Sequence, residues 1–294
     1  MKKVLVLGGT RFFGKRLVEQ LLASNMDVTI ATSGRTPNPF GKEVKHIPIE
    51  RFDKNSLKLT VASNEWDMVY DQLCFAPSDA ADACEIFKDR VGLYVVTSSI
   101  QVYDKTGIRI REDGFNPNQY LIRMGRRSDS INYAEGKRLA EAVFSQTAAF
   151  PVVAVRFPVV LGIDDYTKRL HFYVKRILNH ELITVPPDDT GLSLISSHEA
   201  ARFLLWTGQQ SEMAEPINAC SLGEKTIMEI ILMIESIVDT KAIIQDSFDS
   251  DLSPLGNLAS LSMDNGRALA KGFEFSIVDD WLLKLISSIA REYE

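Results

Sequence analysis

The stretch Val4-Leu5-Val6-Leu7-Gly8-Gly9-Thr10-Arg11-Phe12-Phe13-Gly14 constrains this chain more than any other. Four apolar residues read as a buried strand and the glycines as a tight turn. A helix starting near Phe12 then carries its apolar face on Phe13, Leu17, Val18, Leu21 and Leu22. Glycine admits backbone angles closed to other residues, so main-chain N–H groups can approach a pyrophosphate at the positive end of a helix. Strand, glycine turn and helix together form the opening of a dinucleotide-binding unit. Taken alone, such a turn also occurs in α/β proteins that bind nothing there, so the following residues decide.

Further apolar runs follow at Asp27 to Thr32, Val44 to Ile49, Asp67 to Asp71 and Gly92 to Val96, with a helical pattern at Ala80 to Phe87. Strands alternating with helices predict a parallel sheet buried on both faces, with right-handed crossovers. Ligands bind such sheets at the carboxyl ends of the strands. The Gly8 turn sits at one such end and Thr97-Ser98-Ser99 at another.

A chain of 294 residues with 45% hydrophobic content can bury one large domain, alone or with a small second lobe. The formal charge of -6 argues against general binding to nucleic acid or anionic membranes and favours a small-molecule partner. No apolar run approaches the roughly 20 residues a bilayer span needs. Cys74, Cys84 and Cys220 lack metal or C-x-x-C spacing and read as packing residues in a reducing cytoplasm. His46, His171, His180 and His198 are scattered, and no metal is expected.

The tip of the second strand bears on the cofactor. An acidic residue there accepts bonds from the ribose hydroxyls of NAD, whereas a nearby arginine accommodates the 2′-phosphate of NADP. Here the tip is Thr32-Ser33, and Arg35 follows; Arg11, inside the turn, could reach the same phosphate. NADP is therefore preferred slightly over NAD, and two solvated surface arginines are the other reading. The segment Glu50-Arg51-Phe52-Asp53 lies where an adenine could rest.

After an irregular stretch from Tyr103 to Ile131, a helix begins at Tyr133. Tyr133 and Lys137 are four apart and project from one face. A surface helix would also show such a pair.

Taken together, these pieces resemble the extended short-chain dehydrogenase/reductases, in particular the NAD(P)-dependent epimerase/dehydratase branch. The resemblance rests on Gly8 to Gly14, on Val96-Thr97-Ser98-Ser99-Ile100-Gln101-Val102-Tyr103 and on Tyr133 to Lys137, in that order. It continues through Val155 to Gly162 as a sixth strand and Leu194 to Ala201 as the approach to a late helix. It implies a Rossmann-type doubly wound parallel sheet over residues 1–163, with return segments near 193–220, and a smaller substrate-binding lobe over 164–192 and 221–294. It also implies Ser99 as the substrate-orienting hydroxyl, Tyr133 as acid/base, and Lys137 as support for Tyr133 and holder of the nicotinamide ribose. The cofactor would be held by Gly8, Gly9, Thr10, Arg11, Phe12, Phe13, Gly14, Ser33, Arg35, Arg51, Thr97 and Lys137. The implied activity is NAD(P)-dependent epimerisation or reduction at a sugar-like or nucleotide-sugar hydroxyl, in a chain that could form a homodimer.

The chain departs from the family pattern in two places. Arg11 stands where the turn has its middle glycine, and Val159 stands where many nucleotide-sugar enzymes have an asparagine. Ile100 and Gln101 after Ser99 favour epimerisation or reduction over dehydration, which usually adds acidic residues there. Arg123, Arg126, Arg127, Lys168, Arg169, His171, Lys175 and Arg176 could meet a substrate phosphate, or form a solvated face. Related branches that lost catalytic residues supply the alternative, a non-catalytic NAD(P)-sensing or RNA-associated regulator. The remaining chain reads as helices at Leu170 to Ile177, Ile227 to Val238 and Trp281 to Ala290, a loop at Pro186 to Gly191, and a mobile loop at Asp246 to Leu255.

Overall fold

The structure is a computed structural model that describes residues 1–61, 64–104, 109–126, 131–210, 213–245 and 248–293. In chain order the first elements are β1 (Lys3–Leu7), α1 (Phe12–Ala23), β2 (Asp27–Thr32), β3 (Lys45–Pro48), α2 (Lys54–Val61), β4 (Trp66–Asp71), α3 (Pro77–Ile86) and β5 (Val91–Ser99). Next come α4 (Tyr133–Thr147), β6 (Val152–Phe157), β7 (Val159–Leu161), α5 (Arg169–Leu178), β8 (Leu182–Thr184), β9 (Leu192–Ser196) and α6 (Ser197–Gln209). The last are β10 (Ile217–Asn218), β11 (Glu224–Lys225), α7 (Ile227–Val238), β12 (Ile243–Gln245), α8 (Gly266–Ala270) and α9 (Val278–Ala290).

The chain divides into two compact units. The first comprises Met1–Tyr103, Glu112–Phe157 and Ala200–Asn218, and is built on a seven-stranded sheet in the order β10-β6-β5-β4-β1-β2-β3. Every pairing in it is parallel. The alternation of strand and helix dictates this, because parallel neighbours need a crossover that a helix supplies. β1 and β2 are buried on both faces, as their continuous apolar runs require. Leu5 and Leu7 pack with Val69, Tyr94 and Val96 against Phe87, Val143 and Phe144. Strand order reverses between β1 and β4, so the crevice of this doubly wound sheet opens at the carboxyl ends of those two strands.

β5 runs three residues beyond the expected Val96, because Thr97, Ser98 and Ser99 pair with Val155, Arg156 and Phe157. The expected sixth strand is two strands: β6 ends at Phe157, Pro158 interrupts, and β7 joins another sheet. Proline lacks the N–H that would continue a ladder.

The second unit comprises Asp104–Arg111, Pro158–Glu199 and Ala219–Glu294. It holds a three-stranded sheet, β11-β9-β7, and a two-stranded one, β12-β8. Tyr173, Val174 and Ile177 of α5, Ile230, Ile231 and Ile234 of α7, and Leu282 and Ile286 of α9 share its core. Thr226 and Glu229 close a capping box at the start of α7. In the segment expected to be mobile, Asp246 and Ser247 lie outside the described residues. Of the others, Asp249 accepts from Thr184 Oγ1 at its carbonyl at 2.7 Å, and Leu255 is buried.

Candidate functional site

The glycine turn leaves β1 with Gly8 at φ 105° and Gly9 at φ 94°, angles that strain any side-chain-bearing residue. A Cβ on Gly9 would also sit 3.0 Å from Val18 Cγ2 and 3.1 Å from Val6 Cγ1. Arg11 accommodates the missing middle glycine, because its backbone is extended, φ -140° and ψ 154°, which any residue adopts. Phe12 takes the left-handed conformation instead, φ 51°, with its ring edge-on to Phe13 at 5.4 Å. α1 starts with no side-chain cap and no acid in its first turn. Its N-terminus therefore keeps its positive character for an incoming anion, and the turn fits a dinucleotide phosphate.

At the tip of β2, Thr32 Oγ1 bonds His46 Nε2 at 2.8 Å and accepts from the Gly34 N–H at 3.3 Å. Ser33 is exposed. Arg35 is 84% exposed and approaches Glu50 Oε2 only to 3.9 Å. Arg51 departs from the expectation of a cofactor contact. Its side chain is 3% exposed, turned inward to Asp71 at 2.5 Å and to the Asp79 carbonyl at 3.3 Å. Asp71 also accepts from Tyr94 Oη at 2.7 Å and from the N–H groups of Leu73 and Cys74. Burial alone would raise the Asp71 pKa, but Arg51 and these hydrogen bonds outweigh it and hold the carboxyl below its ordinary value.

Ser99 closes β5, and its Oγ accepts from the Gln101 N–H at 3.2 Å, starting a single 3₁₀ turn. Tyr133 opens α4 behind the Asn132 cap, whose Oδ1 accepts from the Glu135 N–H at 2.9 Å. The Tyr133 ring is 46% exposed and stacks on Phe75, centroids 5.6 Å apart. One turn on, Lys137 is buried and its Nζ donates to the carbonyls of Cys74 and Thr97, each at 2.7 Å. The same Nζ lies 5.7 Å from the Tyr133 ring centroid. Gly136 permits this approach of α4, since a Cβ there would meet the Phe75 carbonyl at 2.9 Å.

Behind Lys137, Glu141 continues the same helix face. Its carboxylate accepts from Arg156 Nη2 at 2.6 Å and from Ser98 Oγ. Arg156 is wholly buried and donates further to Tyr103 Oη, to the Glu112 carbonyl, both at 2.8 Å, and to the Phe115 carbonyl at 3.1 Å. The sequence reading missed this network. Its one local signal is the repeated four-residue step from Tyr133 to Lys137 to Glu141.

The basic residues are dispersed in role. Arg123 and Arg126 are exposed, and Arg127 lies outside the described residues. In the second unit, Arg176 donates to the Leu182 carbonyl at 2.7 Å and lies over the Phe172 ring, so it fastens β8 to α5. His171 is buried beside Lys168 at 3.1 Å, Lys175 is exposed and Arg169 is half-buried. Among the described residues no cluster of His, Cys, Asp or Glu could hold a metal ion, and no helix is long and apolar enough to cross a membrane.

The sequence profile of the NAD dependent epimerase/dehydratase family matches residues 4–218. Among solved structures, UDP-glucose 4-epimerase of Thermotoga maritima, crystallised with UDP-glucose, superposes with a TM-score of 0.76 at 14% identity, covering 99% of each chain. UDP-glucuronic acid 4-epimerase of Bacillus cereus, in complex with UDP-glucuronic acid and NAD, gives 0.76 at 16% identity, covering 99% of this chain and 100% of that one. dTDP-glucose 4,6-dehydratase of Bacillus anthracis, in complex with NAD, gives 0.76 at 14%, covering 100% and 97%. These likenesses establish the shared fold. A curated relative, the chloroplast stem-loop binding protein of 41 kDa b of Arabidopsis thaliana, is 28% identical over 131 residues, 40% of this chain. The match spans about a third, 34%, of that relative's length. The profile runs from the first strand through the end of the parallel sheet, and the chain belongs to the NAD dependent epimerase/dehydratase family.

Proposed function

We propose that this chain binds NADP or NAD and epimerises or reduces a sugar-like or nucleotide-sugar substrate at a hydroxyl-bearing carbon. The observation that carries this reading is the clamp on Lys137: two backbone carbonyls hold its ammonium 5.7 Å from the centroid of the Tyr133 ring. Of the three N–H groups of a lysine ammonium, one remains for the ribose or the phenol. The ammonium thus stands beside the Tyr133 ring, a cation placed next to the phenol. The Tyr133 oxygen takes the proton of the substrate hydroxyl and returns it in the reverse direction, while Ser99 Oγ donates to the substrate oxygen. When bound, the nicotinamide supplies the hydride-accepting carbon.

Gly8, Gly9, Thr10, Arg11, Phe12, Phe13 and Gly14 line the phosphate turn, and Thr97 stands on β5, beyond β4 from the turn. The acid-free tip at Thr32 and Ser33, with Arg35 extended into solvent, supports NADP, whereas similar structures in complex with NAD favour the other choice. We assign substrate recognition to the second unit. Val159, in place of the asparagine of many nucleotide-sugar enzymes, leaves a plain sugar or a ketone within the substrate class.

The test is a calorimetric titration of cofactor-stripped protein with NADPH and NADH. Tighter binding of NADPH is expected. Preference for NADH would remove the role of Arg11 and Arg35 and favour a retained, recycled cofactor, as epimerisation needs. Binding of neither would shift the assignment to the second reading, a non-catalytic stem-loop-associated protein, which the Arabidopsis relative's name favours and the charge of -6 opposes.

A further inference from the structure

Three adjacent strands, β1, β4 and β5, stand in register beside the reversal point of the sheet. Leu7 pairs with Asp71 and Asp71 with Val96, so the next residue on each strand, Gly8, Gln72 and Thr97, forms a row. The Gln72 N–H is fixed to the Leu7 carbonyl at 3.2 Å, which ties it to the glycine turn. Its side chain folds over α1, where a Cβ on Gly14 would collide with Gln72 Oε1. Gly14 is thus the residue that makes room for this carboxamide. Two polar atoms in the row, Gln72 Nε2 and Thr97 Oγ1, are buried with no hydrogen-bond partner among the described residues. A buried donor left unpaired carries a desolvation penalty, and nearly all such groups in folded proteins have partners.

From this arrangement we propose that Gln72 is a cofactor-binding residue: its Nε2 donates to a pyrophosphate oxygen of the bound dinucleotide, with Thr97 Oγ1 as its neighbour on β5. The assignment rests on the dinucleotide-binding reading above and adds to it a side-chain donor from the residue after β4, packed against Gly14 of α1. A charge-assisted hydrogen bond is among the stronger ones, and an orphan donor aimed at an anion gains more than one taken from water. Gln72 also explains the tolerance of Arg11 at the middle position of the turn, since a donor from the residue after β4 compensates for one lost point of close backbone approach.

The experiment is calorimetric titration of the full chain and of its Gln72→Leu and Gln72→Glu variants with NAD+, NADP+ and ADP, alongside thermal unfolding of each cofactor-free protein. Gln72→Leu is expected to weaken the preferred dinucleotide and ADP alike by about 10-fold or more. Gln72→Glu, which sets a carboxylate against the pyrophosphate, is expected to weaken them further. The cofactor-free Leu variant should unfold at the same temperature as the parent or higher, because its orphan donor is gone. Affinities within about 2-fold of the parent in both variants, or a loss for the dinucleotide not shared by ADP, would overturn the assignment. A lowered unfolding temperature of the cofactor-free Leu variant would mark a packing role instead and equally overturn it. If the parent itself binds none of the three, the dinucleotide reading fails, and this assignment with it.

Discussion

Lys137 uses two of its three N–H groups on the carbonyls of Cys74 and Thr97, and this makes it as much a structural link as a chemical one. Lys137→Met would take this donor from both carbonyls, that of Cys74 in a buried position. The expected result is a loss of roughly 1–3 kcal/mol of stability together with loss of turnover, read by urea unfolding and by assay. Tyr133 differs, because its ring is half open to solvent and its packing rests on Phe75. Tyr133→Phe keeps that stacking and removes only the oxygen. Turnover should fall by about 10²–10⁴-fold while cofactor affinity stays within about 2-fold; unchanged activity would refute the acid/base role. Gly9 is bound by φ 94° and by the nearness of Val6 and Val18, so alanine there would strain the turn.

At the scale of elements, two buried ion pairs tie the sheet of the first unit together. Arg156 of β6 meets Glu141 of α4, so the helix carrying Tyr133 and Lys137 is locked to the strands beneath it. All five N–H groups of that guanidinium have acceptors. Removing it in Arg156→Met leaves a buried carboxylate unpaired, with an expected loss of about 3–5 kcal/mol by chemical unfolding. The second pair, Arg51 with Asp71, links the turn after β3 to the end of β4. Because the folded-state pKa of Asp71 is depressed, its stabilisation is complete above the ordinary carboxylate value and is lost as pH falls through the lower folded value. Parent stability should therefore drop on acidification. In Arg51→Met the buried carboxyl would titrate above its ordinary value, so the variant should instead gain stability relative to neutral pH as the acid protonates it. Unfolding curves between pH 3 and pH 7, about the carboxylate range, check the opposite signs.

For the whole molecule, the charge of -6 sets an expectation about partners. Nucleic-acid affinity arises largely from cations neutralising phosphates, and a net acidic chain lacks that drive. An RNA hairpin at physiological salt should bind no more tightly than about 100 µM by fluorescence anisotropy. Salt-sensitive binding in the micromolar range would favour the stem-loop-associated reading. Cofactor binding should also register globally: dinucleotide at 100 times its Kd raises the unfolding free energy by about 2.7 kcal/mol if the unfolded chain does not bind it.

The amino-acid sequence by itself determined the parallel sheet, the glycine turn and the Tyr133–Lys137 face, because each is encoded by local spacing: strand against helix period, glycine before a helix, and a four-residue step. Only the tertiary structure decided what those spacings meet. Arg51 read as a cofactor-binding residue in a segment where an adenine could rest, yet its destination is set by Asp71, 20 residues away on another strand. Glu141, Arg156 and Ser98 are an ordinary glutamate, arginine and serine until three elements converge on them. Pro158 marks a break within one apolar run, but the change of sheet that follows depends on pairing with β9, more than 30 residues later. Gln72 carried no signal at all, since its place beside Gly8 and Thr97 follows from the register of three strands that are distant along the chain. Local periodicity is legible in one dimension; the direction of a buried polar side chain is fixed by whichever partner the fold brings to it.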